Sequence, residues 1–125
     1  MVDLSADKFT NFCNMFGQGS KQPLLIMIKR IVMMELLPGK ETLFLDIFER
    51  VKADIRGREG CIDLEVLRSD QNGVISIWTI SLWTSVDALD QYRNSELFKK
   101  TWSAVKPLFS ARAKAWTRTS IEKVQ

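Results

Sequence analysis

The chain has no histidine among its 125 residues, and so lacks the side chain that most often serves as a general base at neutral pH. Cysteine is nearly as scarce. Cys13 and Cys61 are the only two, too few for a disulfide framework, and neither has a second thiol at metal-ligand spacing. No metal site is expected, and a reducing, cytoplasmic setting fits this cysteine usage. No run approaches the roughly 18 apolar residues of a membrane-spanning helix, so no membrane association is expected. The first residues, MVDLSADKFTNFCNMFGQGSKQP, have neither an uninterrupted apolar core nor a small-residue cleavage site, and do not read as a signal peptide. GQGSKQP lacks both the Gly-Lys-Ser/Thr ending of a phosphate loop and a strand before it. Nor does charge of one sign dominate. The net charge is +3, and residues 104–125 hold Lys106, Arg112, Lys114, Arg118 and Lys123 against Glu122. Basic residues so spread read as a solvated strand, and no nucleic-acid partner is expected.

What the sequence does contain is a globular composition, 46% hydrophobic and 26% charged, suited to one ordinary domain. Residues 1–24 read as an N-terminal extension. Phe9, Phe12, Cys13 and Phe16 recur at helical spacing, and a linker containing Gly, Ser and Pro follows. Three phenylalanines on one face predict that this short helix docks on the main domain, residues 25–125. There, LIMIKRIVMMEL (25–36) stops at Pro38-Gly39, as a buried strand would. Pro38 and Glu41 suit the start of a helix, and Leu43, Phe44, Ile47, Phe48, Val51 and Ile55 give it one apolar face before Gly57.

Two alternating runs joined by Asn72-Gly73 predict a hairpin. Counting outward from that turn pairs Ile62 with Trp83, Leu64 with Ser81, Val66 with Thr79 and Arg68 with Ile77. Thr84 and Asp87 have capping-box spacing, and Asn94 or Ser95 can cap a second short helix carrying Leu97, Phe98 and Trp102. After Pro107, the alternation in ARAKAWTRTSI predicts a last strand. Strand, helix, strand, strand, helices, strand is the order of an α+β, ferredoxin-like βαββαβ domain, an antiparallel sheet with helices on one face.

The two sheet faces differ in kind. The helix-side face combines Ile62, Leu64, Val66 and Ile77 with Thr79 and Ser81 at its middle. A buried hydroxyl without a partner costs roughly 1–3 kcal/mol, so these two either bond to the sheet or border a cavity. The opposite face carries Leu67, Trp78, Ile80 and Leu82, an apolar patch of the kind that marks interfaces. A homodimer through that face, sheet against sheet, is expected.

Three stretches then carry a family resemblance: Pro38-Gly39-Lys40-Glu41, REGCIDLEVLRS and LWTSVDALDQYRNSELFKKTW. In order and spacing, over about residues 26–123, they resemble the antibiotic biosynthesis monooxygenase-like domains of the dimeric α+β barrel superfamily. The resemblance implies a small-molecule cleft between sheet and helices in each subunit. Several members oxidise polyphenolic or quinol compounds with O2 and neither metal nor flavin, which implies a cofactor-independent monooxygenase of a small phenolic or quinol-type compound. The alternative is a non-catalytic, dimeric, stress-related protein that binds a small aromatic ligand. Trp83 falls where the tryptophan of the quinol-oxidising relatives lies. Thr79 replaces their strand-three asparagine, and Leu89 replaces their tyrosine.

A haem-degrading branch is similar over YRNSELFKKTW. Its haem-ruffling tryptophan falls on Tyr92, its proximal histidine on Trp102 and its strand-one asparagine on Val32. An indole cannot ligate iron as imidazole does, so haem degradation is rejected and no cofactor is expected. The candidate catalytic residues are thus Trp83, Thr79 and Tyr92, and the candidate substrate-binding residues Val32, Ser81, Leu89 and Trp102. Trp83 and Tyr92 can stack on a flat substrate, with the phenol hydroxyl as a polar handle. With an ordinary pKa of about 10, Tyr92 is an orienting donor and not a base. Trp102, at helical spacing from Phe98, is expected to pack on the sheet.

Overall fold

A computed structural model describes residues 26–124; the expected helix over residues 5–16 and its three phenylalanines lie outside the described residues. Strand β1 (Met27–Glu35) alternates as its sequence suggests, with Ile28 and Met34 buried on one side. It is a central strand, antiparallel to two neighbours. Gly39, at φ +78°, turns the chain through the left-handed region that glycine enters without penalty, and helix α1 (Glu41–Arg56) follows. Its first turn is fixed by a bidentate pair, in which Arg68 of the next strand donates Nε and Nη2 to the Glu41 carboxylate. The hydrogen bond from Arg68 holds the Glu41 carboxyl below the usual carboxylate range.

Strands β2 (Cys61–Gln71) and β3 (Val74–Trp83) form the expected hairpin. Asn72 and Gly73 both have positive φ, 55° and 86°, as a type I′ turn requires. The pairs Leu64–Ser81, Val66–Thr79 and Arg68–Ile77 are present as counted from the turn. The fourth is corrected: Trp83 lies opposite Cys61, and a bulge between Cys61 and Asp63 leaves Ile62 unpaired and exposed, so Ile62 does not belong to the inner face. Two adjacent apolar residues cannot both face inward in regular pleating. The extra residue lets buried Cys61 take the inner position while the strand bends.

Helices α2 (Val86–Arg93) and α3 (Glu96–Val105) are short because each has its own cap. The cap of α2 is Ser85 and not Thr84, its Oγ accepting from the Ala88 N–H at 3.0 Å. Ser95 caps α3, accepting from the Phe98 N–H at 3.2 Å. A 3₁₀ turn, Lys106–Leu108, contains Pro107 and leads to β4 (Lys114–Ser120).

The sheet order is β2-β3-β1-β4, antiparallel throughout. This is the ferredoxin-like α+β arrangement, with the helices over one face. Two apolar clusters hold helices to sheet. Met34, Leu36, Phe44, Ile77, Val105 and Leu108 form one; Ile28, Cys61, Trp83 and Leu89 form the other. Each large side chain so buried contributes about 1.5–3 kcal/mol. On the outer face Leu67 remains 41% exposed, Trp78, Ile80 and Leu82 are half-buried, and Trp78 stacks on Trp116 with ring centroids 6.2 Å apart. No helix among the described residues is long and apolar enough to cross a membrane.

Candidate functional site

Between the two clusters, the inner sheet face carries side chains too small to reach the helices. Thr79 and Ser81 of β3, Ala115 of β4 and Ala113 just before it form a low floor. Phe44 and Phe48 of α1, with residues of α2 and α3, form the roof of a cavity of about 320 Å³. That volume lies at the lower end of the range of small-molecule sites, roughly 300–1,000 Å³.

One side of the site is a row of aromatic rings. Trp83 stacks on Tyr92 at 5.1 Å, Tyr92 meets Phe98 edge-on at 5.3 Å, Phe98 stacks on Trp102 at 5.9 Å, and Trp102 meets Phe109 edge-on at 5.4 Å. All are favourable separations for aromatic pairs. The row arises because Tyr92 of α2 and Phe98 and Trp102 of α3 line up between Trp83, at the end of β3, and Phe109.

Six candidates named from the sequence line the cavity: Val32, Thr79, Ser81, Leu89, Tyr92 and Trp102. Trp83 lies behind them. It is 0% exposed, its indole N–H donates to Ser81 Oγ at 2.8 Å, and its ring rests on Tyr92. It therefore meets the cavity through those two residues and does not border the space itself. Trp102 packs on the first apolar cluster and also lines the cavity.

Several lining residues escaped the sequence reading. Arg30 is the most consequential, a half-buried guanidinium on the sheet floor whose Nη1 donates to Thr117 Oγ1 at 2.7 Å. The signal was available, since the two-residue period that puts Val32 inside also puts Arg30 inside. Arg93, at the end of α2, and Thr101 of α3 also line the space. Thr101 Oγ1 is buried without a hydrogen-bond partner, and no sequence signal marks that.

The electrostatics are one-sided. Among the described residues, two arginines line the cavity and no aspartate or glutamate does. Burial pushes the Tyr92 phenol up to about 12, the Cys61 thiol adding to the effect and Arg58 opposing it. Tyr92 is therefore a neutral donor across the physiological range. Burial also raises the Cys61 thiol above its ordinary value. Among the described residues no cluster of metal-ligating side chains occurs.

A family profile described as antibiotic biosynthesis monooxygenase matches residues 27–103, more than half of the chain. Among solved structures, one of a putative antibiotic biosynthesis monooxygenase from Caulobacter crescentus superposes with a TM-score of 0.69 at 23% identity, covering 79% of this chain and 93% of that one. A variant of SnoaB, a cofactor-independent oxygenase from Streptomyces nogalater, gives 0.68 at 18% identity, covering 78% and 96%. Rv0793 from Mycobacterium tuberculosis gives 0.70 at 15% identity, covering 79% and 99%. At these identities the likeness establishes the fold. No functionally curated protein matches the chain.

Proposed function

The chain belongs to the antibiotic biosynthesis monooxygenase family, and from that premise we propose that it is a cofactor-independent oxygenase of a small phenolic or quinol-type compound bound between sheet and helices. The observation that carries the reading is the cavity itself, a space walled by stacked aromatic rings and furnished with hydroxyls and guanidinium groups. Monooxygenation puts one atom of O2 into the product and the other into water. Without a flavin or metal all four electrons come from the substrate. What the protein must supply is orientation, exclusion of water, and stabilisation of the electron-rich phenolate that reacts with O2.

Each part has a candidate. Phe98 and Trp102 present ring faces and edges to a flat substrate. Thr79 and Tyr92 offer neutral O–H donors to an oxyanion, Tyr92 remaining protonated because burial raises its pKa. Trp83 is a positioning residue in this scheme, fixing the Ser81 hydroxyl and the Tyr92 ring. With no histidine in the chain and no carboxylate among the described residues that line the cavity, the phenolic proton is lost to water before binding, so the rate should follow the ionisation of the substrate. O2 uptake with a panel of quinols tests the proposal. A rate above that of a Thr79→Val, Tyr92→Phe double variant is expected, and equal rates would refute it.

One observation favours a second reading, the non-catalytic binding protein: among the described residues, no side chain lining the cavity can take a proton at neutral pH. Under that reading ligands raise the melting temperature and are recovered chemically unchanged. For either, we infer a homodimer through Leu67, Trp78, Ile80 and Leu82, because these side chains share one face that the described helices leave uncovered.

A further inference from the structure

The outer face of the sheet is sorted by charge. Residues directly opposed on neighbouring strands share a face, so the register lays Asp63, Leu82, Lys29 and Arg118 in one row across β2, β3, β1 and β4. Two residues along, Glu65 lies on the same face of β2 and Trp116 on that of β4; two further along, Leu67 and Lys114 take those places. Between them Ile80, Trp78, Ile31 and Met33 fill the centre. One edge of the face is thus acidic, the other basic and the middle apolar. All five charged side chains are exposed.

A second observation concerns the basic edge. Lys29 and Arg118 are direct cross-strand neighbours, and like charges so placed are destabilising. No ion pair among the described residues joins either to a carboxylate. A carboxylate approaching from above the sheet would offset their repulsion. The layout also selects the partner. A nucleic acid or an anionic surface would be repelled by Asp63 and Glu65, whereas a second copy, turned over, offers the missing sign at both edges.

We infer that two copies pack through this face about a two-fold axis running along the strands, so that the acidic β2 edge of each lies over the basic β4 edge of the other. That axis reverses the strand order and preserves the level along the strands, which sets Asp63 against Arg118 of the partner subunit and Ile80 against Ile31 of the partner subunit. An axis across the strands would instead put β2 over β2 and β4 over β4, stacking like charges at both edges. The inference rests on the homodimer proposed above, and adds its orientation and the charges that set it.

Sedimentation of the full chain and two charge-reversed variants tests this. Asp63→Lys with Glu65→Lys makes both edges basic; Lys29→Glu with Arg118→Glu makes them predominantly acidic. Each variant alone should dimerise at least about tenfold more weakly than the wild type. Their equimolar mixture should form a heterodimer within about threefold of wild-type affinity, which also shows that both fold. The second variant takes the net charge from +3 to −1, so repulsion between whole molecules cannot account for its loss. An axis across the strands predicts no loss in either. A cysteine variant, Asp63→Cys with Arg118→Cys in a Cys13→Ser background, reads the orientation directly. Within one chain these positions are three strand spacings apart, about 14 Å, so a bismaleimide of roughly half that reach joins them only between subunits. Undiminished self-association of either charge variant, a mixture as weak as its components, or no covalent dimer from a cysteine variant that sediments as a dimer would overturn the inference and leave the homodimer standing. A wild type that sediments as a monomer, as it would if residues 1–24 of the same chain covered the face, would overturn both.

Discussion

Replacing Ser81 by alanine isolates the hydrogen bond that joins the hidden tryptophan to the cavity floor. Trp83 is 0% exposed, and its indole N–H is 2.8 Å from Ser81 Oγ. Deleting the acceptor strands a buried donor, which costs about 1–3 kcal/mol. Water entering from the cavity can partly replace the lost oxygen, so the lower end of that range, about 1 kcal/mol, is expected. Trp83→Phe removes the donor but keeps a ring to stack on Tyr92, leaving a void whose cost is about 1–3 kcal/mol, below that of full truncation to alanine. In the phenylalanine background Ser81→Ala has no donor to strand, so its cost should fall to within about 0.5 kcal/mol of zero. The four proteins form a double-mutant cycle with an expected coupling of about 1 kcal/mol. Urea unfolding followed by far-ultraviolet circular dichroism measures it, at one fixed protomer concentration because association would couple to folding. Equal costs of Ser81→Ala in the two backgrounds would refute the hydrogen bond as the link between Trp83 and the site, and with it the positioning role proposed for Trp83.

Three further outcomes follow from the same geometry. Gly60→Ala should destabilise by at least about 2 kcal/mol by thermal or urea unfolding, because Gly60 has φ +85° and an added Cβ would lie 2.4 Å from Ala88 Cβ; adding Ala88→Gly should recover only the steric part. Tyr92 titrates near 12 in the fold against about 10 in an unfolded chain, so the stability it contributes is full below pH 10 and lost as pH rises through 12, by up to about 2–3 kcal/mol; Tyr92→Phe should flatten that alkaline decline, and an unchanged slope would contradict the burial of the phenol. Ile80→Glu sets carboxylates from two subunits near one another in a dry interface, so sedimentation should find the wild type dimeric at micromolar concentration and the variant dissociated and less stable; a monomeric wild type would refute the proposed interface.

How much was legible in the sequence depends on the range of the signal. The hairpin, the helix ending before Gly57 and the last strand are local patterns, and each stands where periodicity and turn chemistry put it. The Ile62 pairing failed because a count outward from Asn72-Gly73 assumes one residue against one, and a bulge near the far end of β2 is invisible to that count. The spacing of Thr84 to Asp87 points to a cap at Thr84, but the neighbouring Ser85 is the residue whose Oγ accepts from Ala88 N–H. In the site, strand parity correctly separated the face of Thr79 and Ser81 from that of Trp78 and Ile80. Parity cannot say whether an inward residue ends beside the cavity or beneath its neighbours, and so Trp83 and Ser81 look equivalent in sequence while one is hidden by the other. Arg30 was obscured by the apolar run around it, although Val32 two residues on carried the needed parity.

The low floor of Thr79, Ala113 and Ala115 bears on how ligand preference can diverge in this fold. These residues occupy strands whose backbone is held by ladder hydrogen bonds or, for Ala113, the position next to such a strand, so enlarging a floor residue takes space from the cavity without moving an element. Alanine to valine at position 115 subtracts two methyl groups' worth of room, and alanine to leucine at 113 subtracts more, with β1 and β4 still paired. Pocket depth is thus an adjustable property of single codons, separable from backbone shape. Structures only 15–23% identical to this chain keep a TM-score near 0.7, so the fold that carries this floor tolerates wide change in its side chains.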